Sequence, residues 1–198
     1  MTVAIKRPRA TPPLFRSPYM KHVMIDTETL GTYADSIILS IGAVKFDLDS
    51  DQLDPKAFYA SVSIDSNIAL GRTPTESTIN WWMQQSKDAQ AVFAEPKQTL
   101  EEALRSLTDW LGHNKRCVWS NGADFDLPML AHAYKSIGLE TPWEFWNSRC
   151  VRTYKSLPQA RNVPKSANAL AHNALQDAVA QAKHVQAIQA ALKGKALA

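Results

Sequence analysis

Three short clusters hold the residues best placed to do chemistry. The first is Asp26-Thr27-Glu28, which closes the apolar stretch Val23-Met24-Ile25. Side chains alternate along a strand, so Asp26 and Glu28 share a face. Two carboxylates at a buried strand end repel one another, and each must be hydrated, paired or bound to a cation. Oxygen ligands suit Mg²⁺ or Mn²⁺, and such ions are usually held by a few carboxylates together with substrate phosphate. Asp-x-Glu is a common string, and two solvated acids at a strand end are its ordinary alternative. The second cluster is Asn121-Gly122-Ala123-Asp124-Phe125-Asp126. A helix N-terminus favours negative charge, so Asp124 reads as a helix cap, while Asp126, one turn in, can project towards the first strand. The third is His172-Asn173-Ala174-Leu175-Gln176-Asp177. With Asn173 as N-cap, His172 precedes the helix on a loop and Asp177 lies in its first turns. One is then placed to be a fixed ligand and the other to move as a base. His22, His113, His132 and His184 read as plain surface histidines.

The elements that must carry these clusters follow from periodicity and turn chemistry. A strand is expected over about residues 22–27, a second over 36–46, and a third, alternating, over 57–64. Short links between them suggest an antiparallel meander. Gly42 marks a bulge or a close approach within the second. Thr73-Pro74-Thr75-Glu76 reads as a capping box opening a helix whose Ile79, Trp82, Met83 and Ser86 share a face. Thr99 and Glu102 make another capping box, followed by the stripe Leu100, Leu104, Leu107 and Leu111 and by Gly112 as terminator. A strand Cys117-Val118-Trp119 leads to the Asn121-Gly122 turn, and a helix follows over about 125–137, with Pro128 in its first turn. Residues 142–147 form an aromatic loop, and a short helix begins near Cys150. The last helix starts after Asn173, with Leu175, Val179, Ala182, Val185, Ile188 and Leu192 at helical spacing.

Composition bounds the rest. A chain of 198 residues with 45% apolar and 21% charged content suits one globular domain with a real core. No apolar run reaches the roughly 18–20 residues of a membrane helix, and no secretory signal is evident. The expectation is a cytoplasmic protein with no membrane association. Cys117 and Cys150 lack metal-site spacing and read as buried thiols, with a single bridge left open. The net charge of +3 is uneven, because Lys6, Arg7, Arg9 and Arg16 are unopposed in residues 1–20, which read as a basic, proline-rich flexible tail. The domain is expected over residues 21–195.

Taken together, the strand acids, the Asn-x-x-x-Phe-Asp junction and the His-x-x-x-x-Asp helix start resemble the DnaQ-like, DEDDh-type 3′–5′ exonucleases of the ribonuclease-H-like superfamily. Asp26 and Glu28 match the first motif of that family, Asn121, Phe125 and Asp126 the second, and His172 and Asp177 the third. The strings Asn80-Trp81-Trp82-Met83-Gln84-Gln85-Ser86 and Pro142-Trp143-Glu144-Phe145-Trp146 resemble a phage and prophage subgroup related to a mycobacterial exoribonuclease. The resemblance implies an α/β, ribonuclease-H-like mixed sheet, with strands one to three antiparallel and later strands parallel, flanked by helices. It implies that Asp26, Glu28, Asp126 and Asp177 hold two Mg²⁺ or Mn²⁺ ions and that His172 is the general base. The expected reaction is metal-dependent hydrolysis of single-stranded or 3′-overhanging RNA or DNA to 5′-mononucleotides. The partner is then nucleic acid with a free 3′ end, and a homodimer is left open. The resemblance also places Leu30 as a wedge at the terminal base and Thr29 at the terminal sugar. Asn121 is a further substrate contact. Trp82 either stacks on a base or packs in the core, Trp81 points elsewhere and is expected to be half exposed, and Trp143 and Trp146 either pack their loop or line the site. A silent binding module on the same fold is the alternative, and the complete set of five chemical positions argues against it.

Overall fold

The computed structural model describes residues 20–112, 116–166 and 172–194. The expectations for the tail and for His113 lie outside the described residues, Met20 apart. A five-stranded sheet runs in the order β3-β2-β1-β4-β5, from β1 (His22–Thr29), β2 (Ile38–Phe46), β3 (Phe58–Ser61), β4 (Cys117–Ser120) and β5 (Ser148–Cys150). β1, β2 and β3 form the expected antiparallel meander, and β4 and β5 add in parallel. The helices are α1 (Ile64–Ala69), α2 (Glu76–Met83), α3 (Lys87–Gln90), α4 (Leu100–Leu111), α5 (Asp126–Ser136), α6 (Val151–Lys155) and α7 (Ala174–Leu192).

The pleat of β1 sorts its residues between two cores. Val23 and Ile25 face α4 and α5 in one cluster with Ile41, Ala43, Leu104, Leu107 and Leu130. Met24 faces α7 in another, with Val44, Phe46, Ala178, Ala182 and Val185. Asp26 and Glu28 continue the Met24 face by alternation, which aims both acids at the start of α7. Gly42 pairs with Asp26 across the β1–β2 ladder. A Cβ there would fall 2.2 Å from the carbonyl carbon of Ala174 and from the amide nitrogen of Leu175. The close approach expected at Gly42 is therefore the seat of the first turn of α7 on the sheet. The buried stripe of α7 runs Ala174, Ala178, Ala182, Val185 and Ile188; it meets the expected stripe at the last three and starts one residue earlier, on Ala174 and Ala178 in place of Leu175 and Val179. Small residues are what let this helix lie so close to a glycine.

Other local signals resolve in different ways. Thr99 and Glu102 form the capping box of α4, and Gly112 closes it at φ 74°. α2 is capped at Thr75, not Thr73. The Thr73 carbonyl accepts from Ile37 N, and its amide donates to the Asp35 carbonyl, so its backbone belongs to a bridge with the 33–37 loop. That loop is pinned by the buried Arg72 guanidinium, which donates to the carbonyls of Ser36 and Ala34. Ile79 and Met83 are exposed, the latter at 72%, whereas Trp82 on the same side of α2 is buried. The third strand is shorter than the alternation suggests, because Ser63 caps α1 through Ser66 N. Cys117 and Cys150 are free thiols. Trp143 packs on Tyr134 in the core and Trp146 is 57% exposed.

Candidate active site

The site forms where β1 outruns β4. The two strands pair only along His22–Met24. Further along β1, the Thr27 amide and hydroxyl both donate to Asp126 Oδ1, at 3.0 and 2.8 Å. Asp126 opens α5 and is 2% exposed; its carboxylate takes the place of a neighbouring strand. At the other edge, β2 begins on Asn67, whose side chain meets both the amide and the carbonyl of Ile38. The pairing shifts register there, between Glu28 and Thr29.

Oxygens of Asp26, Glu28 and Asp177 lie within 4.8 Å of one another. Three acids from the first strand and the last helix thus converge, while Asp126 stands beside them on the Thr27 side. Burial, then the charges of Asp126 and Glu28, push the Asp26 carboxyl well above the usual range, against a hydrogen bond from Gln181 that lowers it. Burial, then Asp177 and Asp126, push Glu28 up to about 8. Burial lifts Asp126 to about 6, opposed by its bonds from Thr27. Such a cluster lacks positive charge at its centre. Its all-oxygen donor set fits a hard divalent cation such as Mg²⁺ or Mn²⁺, and the N-termini of α5 and α7 add partial positive charge beside Asp126 and Asp177.

His172 stands at φ 64°, the single described non-glycine residue in the left-handed region. Asn173 caps α7 by accepting from Gln176 N, and the Asp177 Oδ2 atom accepts from the His172 amide at 2.9 Å. The backbone of His172 is therefore tied to one of the converging acids. Its ring packs edge-to-face on Trp81 at 4.8 Å, with Trp82 at 6.3 Å. Trp81 does not point elsewhere: it touches His172 and lines a cavity of about 390 Å³ with Glu28, Thr29, Trp82 and Phe125. Trp82 is 2% exposed and donates its indole N–H to the Thr29 carbonyl at 2.8 Å. It is a wall of that cavity and of a second, about 370 Å³, lined by Leu30, Ile79, Met83 and Phe93. Leu30 is buried and faces this second cavity, not the acids. Thr29 bonds its hydroxyl to the Gly31 carbonyl. The buried Oδ1 of Asn121 has no hydrogen-bond partner among the described residues.

Two residues escape sequence reading. Gln181 Nε2 donates to Asp26 Oδ1 at 2.8 Å. The signal was its place four residues after Asp177, on the same helix face. Trp81 was recognisable only as half of a Trp-Trp pair, whose two members must diverge by about 100° on a helix.

A family model described as the 3′-5′ exoribonuclease Rv2179c-like domain matches residues 21–189. The chain belongs to this family. It is 26% identical to an exodeoxyribonuclease of Enterobacteria phage T4, over 66% of this chain and 68% of that protein. The nuclease domain of 3′hExo, a DEDDh family member bound to rAMP, superposes with a TM-score of 0.56 at 15% identity, covering 92% of this chain and 96% of that one. E. coli ExoI, in a complex with single-stranded DNA, superposes at 0.59 and 14% identity, covering 81% of this chain but 38% of its own. Cell-death related nuclease 4 gives 0.56 at 16% identity over 85% of this chain and 63% of its own. These neighbours share the fold of the chain, a mixed sheet flanked by helices, and the family is one of 3′–5′ exonucleases acting on nucleic acid. No described helix is long and apolar enough to cross a membrane.

Proposed function

We propose that this chain is a divalent-metal-dependent 3′–5′ exonuclease that trims single-stranded or 3′-overhanging RNA or DNA to 5′-mononucleotides. The observation that carries this reading is the convergence of Asp26, Glu28 and Asp177, with His172 bonded through its backbone to the last of them. Asp26, Glu28 and Asp177 would hold Mg²⁺ or Mn²⁺, and Asp126 would contribute its Oδ2 side, since Oδ1 is engaged by Thr27. When bound, such ions neutralise charge on the phosphate and supply a water of lowered pKa.

The chain's own residues then have defined tasks. The His172 imidazole takes a proton from the attacking water as general base. To do so it swings from Trp81 towards the acids about its Cα–Cβ bond, while the Asp177–amide bond keeps its backbone in place. Gln181 fixes the rotamer of Asp26, in the way that outer partners orient ligating groups. Trp81 and Phe125 offer ring surfaces to the terminal nucleotide in the first cavity. Base stacking of this kind contributes about 1–3 kcal/mol and demands an unpaired base, which supports the single-strand preference. Thr29 and Asn121 remain candidates for sugar and phosphate contacts; the unpartnered Asn121 oxygen supports a hydrogen-bonding role. Trp82 acts as wall rather than platform.

The test is digestion of matched 5′-labelled and 3′-labelled RNA and DNA oligomers, single- and double-stranded, with Mg²⁺, Mn²⁺ or EDTA. The expected result is mononucleotide release from the 3′ end with metal alone. Metal-independent cleavage, or internal cuts as first products, would overturn the reading.

A further inference from the structure

Residues 145–176 contain five arginines and lysines and no aspartate or glutamate. Arg152, Arg161 and Lys165 are exposed and Lys155 is half-buried. Burial, and then the charges of Lys165 and Arg152, hold the Lys155 ammonium below its usual range, which marks these cations as neighbours. Among the described residues none of the four has an ion-pair partner. The group starts at the active site. The Arg152 Nε atom lies 4.0 Å from where a Cβ on Gly122 would stand, and its charge reaches Asp126. It ends beside α7, where the Pro164 carbonyl bonds His184 Nδ1. Immediately before β5, Phe145 and Trp146 are 81% and 57% exposed, their rings edge-to-face at 4.8 Å.

We infer that this strip, from Arg152 along α6 to Lys165, is a second binding surface that carries the phosphate backbone of a single strand upstream of the 3′ end, with Phe145 and Trp146 as stacking platforms. The inference rests on the exonuclease reading for its direction but on charge and exposure for its existence. A cationic groove with aromatic rings is the arrangement that holds single strands without regard to sequence. Like charges gathered without counter-ions gain from a polyanion, because each phosphate they neutralise releases condensed cations.

The test is the salt dependence of binding, in EDTA so that nothing is cleaved, of a fluorescent 20-nucleotide single strand to the parent and to Lys155→Ala/Arg161→Ala/Lys165→Ala. Single-strand binding falls by about 0.7 log unit per log unit of salt for each phosphate contact. The variant's slope is therefore shallower by about 2, and between 50 and 200 mM salt the parent loses roughly 16-fold more affinity than the variant. Arg161→Ala/Lys165→Ala, at exposed positions, gives a slope shallower by about 1.4 on the same basis. Lys56→Ala/Arg105→Ala/Lys135→Ala removes the same charge elsewhere and keeps the parent's slope. Equal slopes for parent and strip variants, or the same loss in the control, would overturn the strip while leaving cleavage intact. Absence of metal-dependent cleavage by the parent would overturn the exonuclease reading and leave the slope comparison standing.

Discussion

Replacing Gly42 by alanine tests how the last helix places its acid. The added Cβ would sit 2.2 Å from two backbone atoms of the first turn of α7. Ordinary contact begins near 3.4 Å, so helix and sheet must part by about 1 Å, and neither is the flexible end of a side chain. Overpacking of this kind costs about 1–3 kcal/mol. In a chain of this size that lowers the melting temperature by roughly 2–12 °C and leaves the protein folded. The effect on the site is larger. Asp177 rides on the displaced turn, and its partners Asp26 and Glu28 are fixed in β1. Mg²⁺ tolerates little departure from oxygen distances of about 2.0–2.1 Å, and a 1 Å misplacement costs about 100-fold in turnover. Gly42→Ala should therefore bind Mn²⁺ more weakly by calorimetry and lose about two orders of magnitude in kcat on a labelled oligomer, with its circular dichroism unchanged at 20 °C. Gly138→Ala is the control. Gly138 stands at φ 71° with open space around it, so alanine there strains the backbone by about 1–2 kcal/mol without moving α7. If Gly42→Ala kept the parent's metal affinity and rate, α7 would not be seated by contact at this position and the reasoning would fail.

Four further outcomes follow from the same geometry. His172→Ala should bind Mn²⁺ like the parent and lose about 100- to 10,000-fold in kcat; a comparable loss of metal affinity would show the imidazole to be a ligand instead. Gln181→Leu should weaken Mn²⁺ binding about 10- to 100-fold through loss of the bond to Asp26, a change that calorimetry reads directly and that an inert residue would not produce. Without metal, Glu28 and Asp126 bind protons more tightly in the fold than in the unfolded chain. The native state then holds more protons than the unfolded state above the ordinary carboxylate range, so stability falls as pH rises from about 4.5 to about 8. Thermal melts in EDTA should show that fall, Mn²⁺ should stabilise most at the alkaline end, and a melting temperature that rises across this window in EDTA would contradict the assignment. Asp26→Asn should raise the metal-free melting temperature at pH 8 while abolishing metal-dependent cleavage, because it removes one of three mutually repelling charges.

The sequence displayed the chemistry more plainly than the packing. Asp26, Glu28 and Asp177 were legible because alternation and helix caps dictate direction locally: Asn173 does cap α7, and Thr99 with Glu102 does start α4. The antiparallel meander followed from short links between apolar runs. β5 escaped notice because Ser148-Arg149-Cys150 is an exposed three-residue edge, which carries no apolar alternation and pairs only because β4 lies beside it. α1 escaped because six residues from a serine cap, with a polar face, make no period. The α7 stripe was legible at Ala182, Val185 and Ile188 but was placed one residue late at its start, because Leu175 and Val179 outweigh Ala174 and Ala178 in any hydrophobic pattern, whereas the glycine beneath selects the smaller side chains. Ile79 and Met83 do share a side of α2 with Trp82, as their spacing suggests, and that side faces a cavity. Trp81, read as pointing away, meets His172 because the left-handed turn at that residue carries the imidazole across to α2, and no helical wheel records a turn on another segment.

Asp177 and its neighbouring imidazole arrive at the site on the helix that follows everything else in the domain, while Asp26 and Glu28 are made near its beginning. During synthesis, a chain whose sheet has formed before α7 leaves the ribosome would hold two of the three converging acids and no base. Catalytic competence would come with the docking of that helix against Gly42, so a truncated or stalled product would carry the cavity beside Trp81 without the full set of groups proposed to cleave nucleic acid.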